Sequence, residues 1–169
     1  FRKLKTHSYI DIDASEFELG DVLVALNQDQ TSQEFQLHYD NGDNLHVTFG
    51  AYYMKENVPS YQEAYADDLF SMLGVGIPFL RTIRDDLTTT SVAAFAHVDW
   101  EFVPTWTLAA GVRWTRYNKD YERSTSTFWG APFTALNETV AFAAEADWTA
   151  VTPSVSLKKA FGDNVMGYV

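Results

Sequence analysis

The chain contains no cysteine, which excludes a disulfide framework and any thiolate metal site. It also lacks a long apolar run. The longest, such as Val92 to Ala96, fall far short of a membrane-spanning helix. Positive charge is scarce: 12 Lys and Arg stand against 23 Asp and Glu, for a formal charge of -11. A nucleic-acid binder needs a basic patch to neutralise phosphates, so that class of partner is excluded. No helical stripe of apolar residues recurs, and no signal peptide opens the chain. Phe1 begins directly on strand-like sequence and Val169 closes in what reads as mid-strand. The expectation is an internal fragment, for which the missing signal peptide says nothing about location.

What is present is alternation. In Leu108 to Asp120, the residues Leu108, Ala110, Val112 and Trp114 are apolar, while Ala109, Gly111, Arg113 and Thr115 are small or polar. A period of two marks a strand with two different faces. The pattern recurs weakly over Arg2 to Asp13 and cleanly over Thr31 to Asp40, where Phe35, Leu37 and Tyr39 alternate with Glu34, Gln36 and His38. It returns over Asn44 to Met54, with Leu45, Val47, Phe49, Ala51 and Tyr53 on one face. From Thr88 to Phe102 it sets Val92, Val98 and Trp100 opposite Phe95, His97 and Asp99. Trp148 to Phe161 repeats it, and a further segment starts near Val165. The chain therefore reads as all-β, an antiparallel up-and-down meander of about six or seven strands.

Short turns at Asn41-Gly42-Asp43, Val103-Pro104-Thr105 and Gly162-Asp163-Asn164 are separated by long connections at Ala14 to Gln30, Lys55 to Leu87 and Asn118 to Asp147. Within the second of these, Tyr61 to Met72 is compatible with a short helix. Long loops on one side and short turns on the other is the pattern of transmembrane β-barrels. Register agrees with it. Centring the first hairpin on Gly42 pairs Leu37 with Val47 and sets His38 opposite His46. A two-residue Asn-Gly turn would put apolar against polar, so a loop of odd length is expected. Centring the second on Pro104 pairs Trp100 with Leu108 and Val98 with Ala110.

From Trp106 to Trp114 the strand runs roughly 27 Å, which a tilt of about 40° shortens to about 20 Å of depth. The tryptophans then sit near the edges of an apolar band about 25 Å tall, where aromatic girdles lie. Arg116 falls beyond the hydrocarbon, and Lys159 can extend its ammonium to the opposite interface. The apolar side is expected to face lipid, and Arg113 a polar lumen. The chain is thus expected to be a partial, open segment of a large barrel.

The sequence resembles the TonB-dependent receptors of the Gram-negative outer membrane. The resemblance is carried by Thr31 to Leu37 (TSQEFQL), Phe49 to Tyr53 (FGAYY), Ser91 to Trp100 (SVAAFAHVDW), Leu108 to Thr115 (LAAGVRWT), and Trp148 to Leu157 (WTAVTPSVSL) followed by Asp163 to Met166. It implies a barrel of about 22 strands filled by an N-terminal plug, and energised import of a scarce ligand, most often a ferric siderophore. It further implies contact with TonB through the plug, and residence in the outer membrane among lipid and lipopolysaccharide. On this reading residues 1–169 are part of a single barrel domain, without the plug or the C-terminal strands.

Ligand recognition is expected in the long loops. The first contains Tyr61, Tyr65, Phe70, Phe79, Arg81 and Arg84, and the second Tyr121, Arg123, Phe128, Trp129 and Phe133. Aromatics with arginines suit a bulky, often anionic ligand. The substrate-binding candidates are Tyr61, Phe79, Arg81, Arg84, Arg123, Phe128 and Trp129. The acids Glu56, Glu63, Asp67, Asp68, Asp85 and Asp86 read as a solvated surface. They lack the ligand spacing of a defined site for cations bridging lipopolysaccharide.

His38 with His46 makes a poor metal site, because two ligands without a nearby carboxylate do not complete one. His97 and Asp99 share the lumen face and suggest a barrel hydrolase, but no nucleophile or oxyanion site accompanies them. No catalytic residue, metal or cofactor is assigned. Gly111 is expected to leave room beside His97, and Arg113 to stack on Phe95 or meet an acid of the plug. The alternatives are a passive porin-like or adhesin barrel, a barrel hydrolase, and a soluble all-β binding module. The last would have to bury Leu108, Val112 and Trp114 against a second sheet.

Overall fold

The computed structural model describes residues 1–17, 19–74, 77–133, 136–162 and 165–169, with backbone alone at residues 70 and 136–139. Among the described residues seven strands and one short helix follow one another: β1 (Arg2–Asp11), β2 (Asp21–Asp40), β3 (Leu45–Ala66), α1 (Asp68–Met72), β4 (Phe79–Val103), β5 (Trp106–Trp129), β6 (Leu136–Ala160) and β7 (Met166–Tyr168). They form one antiparallel up-and-down sheet in the order β1-β2-β3-β4-β5-β6-β7. The strand number and topology are those read from the alternation.

The strands are much longer than that alternation. Four of them run 22 to 25 residues, so most of the expected loops are strand. On that side the connections shrink to the intervals between Asp11 and Asp21, between Ala66 and Phe79, and between Trp129 and Leu136. The physical reason is that hydropathy alternates only where the two faces meet different solvents. A ladder of backbone hydrogen bonds continues wherever a neighbouring strand is present. Residues 61–66 illustrate this: they extend β3 instead of forming a helix, and the helix is confined to Asp68–Met72.

The first hairpin keeps the expected parity but not the expected centre. The Asn41 N–H donates to Leu45 O at 3.2 Å, His38 Nδ1 lies 3.0 Å from Thr48 Oγ1, and His46 Nδ1 lies 3.0 Å from Asp40. All three contacts centre on Asp43, not Gly42, so His38 faces Thr48 and the two histidines do not meet. The shift of two pairing positions arises in the turn. There Asn41 Oδ1 accepts the N–H groups of Asp43, Asn44 and Leu45 at 3.0–3.1 Å. Gly42 takes a φ of 76°, which glycine adopts freely. In the second hairpin Thr105 sits at φ 71°, its N–H bound by Glu101 Oε1 at 2.7 Å. That is the left-handed residue of a three-residue loop with a bulge. The third short turn, at Gly162-Asp163-Asn164, lies partly outside the described residues, but Lys159 pairs with Gly167 as a turn centred there requires.

The chain divides into two compact units. One comprises residues 1–31, 55–89 and 119–146, and the other residues 32–54, 90–118 and 147–169. In the second unit the apolar face is open: Phe35 is 70% exposed, Val155 75% and Val112 48%. Burial falls on the opposite face, at Ser91, Ala93, Ala109 and Thr115. Phe95 occupies the space where Gly50 has no side chain. A Cβ at Gly111 would stand 3.0 Å from His97 Nδ1 and 2.8 Å from Ser154 Oγ, so Gly111 leaves room beside His97. Arg113 stacks on Phe95 at 5.5 Å and also on Tyr52 at 5.6 Å. At the ends of the apolar face, Arg116 is held by Asp147 at 2.7 Å. The Lys159 ammonium lies 4.5 Å from the Trp106 ring.

An open apolar face is what a lipid-embedded wall requires and what a soluble sheet avoids. A Val112→Arg substitution in the intact protein is expected to destabilise a lipid-embedded barrel by about 2–4 kcal/mol. The same change at a water-exposed site would alter stability by less than about 0.5 kcal/mol. Unfolding in lipid, followed by tryptophan fluorescence, distinguishes the two.

Candidate functional site

All seven candidate binding residues lie on strands, not loops, and all belong to the first unit. Their placement follows from two strand pairings. Between β3 and β4, Ser60 Oγ donates to Asp85 Oδ2 at 3.3 Å, and Arg84 lies 5.3 Å from the centre of the Tyr61 ring. Between β4 and β5, the Gly130 N–H donates to Pro78 O at 2.8 Å. Phe79 packs against Trp129 with ring centroids 4.9 Å apart, and Asp85 binds Arg123. These β4–β5 contacts share the centre at Pro104 inferred from the sequence.

Because neighbouring residues on a strand point to opposite faces, the candidates separate into two groups. Phe79, Arg81, Arg123 and Trp129 share the face that carries Asp85, and Arg81 is exposed there. Tyr61, Arg84 and Phe128 fall on the other face. The side chain of Phe70 lies outside the described residues.

Asp85 is the hub of the first group. Its carboxylate is 11% exposed and accepts Arg123 Nε at 2.5 Å and Nη2 at 3.1 Å. The Tyr121 hydroxyl donates to it at 2.5 Å. A bidentate guanidinium with two further donors nearly saturates the carboxylate's acceptor sites. The hydrogen bond from Arg123 is the chief reason the Asp85 pKa lies below the ordinary carboxylate value, with Tyr121 and Ser60 adding to it against the opposing effect of burial. The bond to Asp85 in turn raises the pKa of the Tyr121 phenol. Arg123 is therefore committed to a structural ion pair and is not a free cation for a ligand.

Tyr61 and Arg84 help line a cavity of about 780 Å³ within the first unit, together with Asn27, Asp86, Glu122 and Phe142. Arg123 also reaches its wall, whereas Phe79, Arg81, Phe128 and Trp129 do not. Burial of the Tyr61 ring is the main cause of its raised pKa, and Glu63, which accepts its hydroxyl proton, reinforces the shift. The sequence alone reads Asp85 and Asp86 as part of a solvated acidic surface and gives Glu122 no role. Their signal was the complementary pair of tripeptides Arg84-Asp85-Asp86 and Tyr121-Glu122-Arg123, which becomes legible only once the Pro104 register extends this far.

In the second unit, Asp99 accepts from His97 Nε2 at 3.0 Å and from Lys158 Nζ at 3.1 Å. A lysine-neutralised carboxylate is a structural partner for the imidazole and supplies no nucleophile. Among the described residues no three His, Cys, Asp or Glu side chains converge on a common point.

An antiparallel up-and-down sheet with one open apolar face is the wall of a β-barrel. The family described as TonB dependent receptor-like, beta-barrel matches residues 5–169, and the chain belongs to that family. It is a family of transport receptors, not of enzymes. Among solved structures, the ferric yersiniabactin uptake receptor FyuA from Yersinia pestis superposes with a TM-score of 0.71 at 13% identity, over 88% of this chain and 21% of that one. The ferric-catecholate import receptor Fiu from E. coli K12 gives 0.45 at 10% identity, over 98% and 34%. The siderophore receptor PiuA from Acinetobacter baumannii gives 0.40 at 12%, over 88% and 32%. The chain thus spans between a fifth and about a third of these receptors. No curated protein matches it.

The depressed pKa of Asp85 has a definite linkage sign. Its contribution to stability is complete above the unfolded carboxylate value, about 3.9, and disappears as pH falls through the lower folded value. Asp85→Asn is therefore expected to lower the thermal midpoint at pH 7, and the gap from the parent should narrow steadily below pH of about 4. A gap of equal size at pH 7 and pH 3 would show that the carboxylate charge is not what stabilises the cluster.

Proposed function

We propose that this chain forms part of the barrel wall of an outer-membrane receptor that imports a ferric siderophore in a TonB-dependent manner. The observation that carries the reading is membership of the TonB-dependent receptor barrel family over residues 5–169. The fold likeness to FyuA, a ferric yersiniabactin uptake receptor, accords with it. Residues 1–169 contribute to a single barrel domain in this reading. Outer-membrane lipid and lipopolysaccharide meet its apolar face and rim, and TonB engages the plug that the family carries.

For ligand contact the reading favours the Phe79–Trp129 pair with Arg81. The two rings present a packed aromatic surface, and Arg81 adds an exposed guanidinium two residues along the same strand face. A planar cation beside aromatic rings suits a bulky anionic chelate. Arg123 contributes indirectly, by anchoring Asp85 between β3, β4 and β5. Tyr61, Arg84 and Phe128, on the other face, are secondary candidates.

Uptake of radiolabelled iron as a ferric siderophore is expected to require both this receptor and TonB. Uptake that persists in a strain without TonB would establish the passive porin instead. Trp129→Ala is expected to weaken siderophore binding about tenfold or more, the loss typical of a central aromatic contact. Equilibrium binding to the purified receptor measures it, with Phe128→Ala as the smaller comparison.

A further inference from the structure

On the closed face of the second unit lie two permanent cations, Arg113 and Lys158. Lys158 is bound to Asp99 at 3.1 Å. Arg113 has no carboxylate partner among the described residues, yet its guanidinium is held in place. The Glu101 N–H donates to Asn44 O at 2.8 Å, and a Cβ at Gly50 would collide with the Phe95 ring. That pairing sets Gly50 opposite Phe95 and Tyr52 opposite Ala93. The centre at Pro104 sets Phe95 opposite Arg113 and Ala93 opposite Thr115. Tyr52, Phe95, Arg113 and Thr115 therefore share one face, and the small, buried Ala93 leaves room between them.

Three neighbours fix the guanidinium. The centres of the Phe95 and Tyr52 rings lie 5.5 and 5.6 Å from its central carbon. Its Nε donates to Thr115 Oγ1 at 3.2 Å, and Thr115 is buried. Neither Nη group has an acceptor among the described residues. The arginine fork is rigid and planar, so fixing Nε also fixes the direction of the remaining donors. The acids of this face are engaged elsewhere. Glu34 is bound by Gln36, Asp40 by His46, Asp99 by Lys158 and His97, and Glu101 by the Thr105 N–H. A half-buried charge with oriented, unused donors is the arrangement of an anion receptor.

The geometry points to a carboxylate site, in which the two Nη groups of Arg113 grip both oxygens of one carboxylate. A planar carboxylate matches the fork in shape. A phosphate dianion would need a second cation, and Lys158 is committed to Asp99. The carboxylate belongs either to an acidic side chain of the same receptor or to a free small molecule. The chemistry at Arg113 is the same for both. The site lies in the second unit and owes nothing to the aromatic pair assigned to the siderophore, so its failure leaves that reading standing.

Two measurements on the full-length receptor in detergent test it: the thermal midpoint of Arg113→Gln against pH, and calorimetric titration with benzoate. Benzyl alcohol is the neutral analogue of similar shape. A receptor carboxylate bound to Arg113 has a lowered pKa, so its contribution is present above pH of about 4 and lost below it. For that source the parent is expected to melt above Arg113→Gln at pH 7. The gap narrows below pH of about 4, and benzoate does not bind. For the free-ligand source benzoate binds the parent, Arg113→Gln weakens it about tenfold or more, and benzyl alcohol does not bind. Arg113→Lys keeps the charge without the fork and restores only part of either effect. It supplies the same readouts should Arg113→Gln not assemble, and heat-modifiable electrophoretic mobility reports that each variant is folded. A gap independent of pH together with no benzoate binding would overturn the proposal. So would benzoate binding indifferent to Arg113→Gln, equal binding of benzyl alcohol, or full restoration by Arg113→Lys.

Discussion

Everything in this chain depends on the satisfaction of backbone hydrogen bonds between neighbouring strands. In lipid no water is present to pair with an exposed N–H or carbonyl, so a spanning segment must find its partners in protein. The order β1 to β7 meets this demand with the simplest connectivity available, each strand lying between its neighbours in sequence. The same demand explains why the ladders run past the apolar segments. Once two strands are in register, continuing the pairing satisfies donors and acceptors whatever the side chains are, and β3 through β6 each extend beyond 20 residues.

With the backbone settled, side chains decide what each face does. In the second unit, apolar residues are left open on one face while the other is closed with small ones, Ser91, Ala93 and Ala109. That inverts the arrangement of a soluble sandwich, where the apolar faces are the hidden ones. The closed face also holds charge without leaving it solitary. Arg113 rests between Tyr52 and Phe95, and Asp99 is shared by His97 and Lys158. Gly50 permits the Phe95 ring to lie across β3, and so the arginine's stacking surface depends on a residue with no side chain.

Class, strand count, strand order and the placement of Val112 and Arg113 on opposite faces were all legible, because a period of two separates the two faces of a strand. Strand length was not. Lys55 to Ala66 and Asn118 to Trp129 are polar on both sides, so hydropathy carries no trace of their pairing. The first hairpin shows a finer limit. Centres at Gly42 and at Asp43 both keep apolar beside apolar, and only the Asn41 side chain, by gathering three N–H groups, selects the second. For the candidate site, residue types were readable and grouping was not. Arg81 and Arg84 are three positions apart, which on a strand puts them on opposite faces. Arg123 reads as an available cation in the sequence, whereas in the fold it is bound to Asp85.

The nearest-neighbour topology also has a consequence for how such a wall comes into being. Each strand pairs with its neighbours in sequence, so its contacts are local and its search is short. Asn41 and Thr105 prefigure two of the bends before any distant partner is needed. Assembly then has a natural direction of growth: a completed ribbon offers its free margin as a template, the next ribbon docks there, and the margin moves outward by one. Nothing in the chain has to wait for a segment far away in sequence. The vulnerable moment is when the newest margin stands bare, and it recurs with every addition.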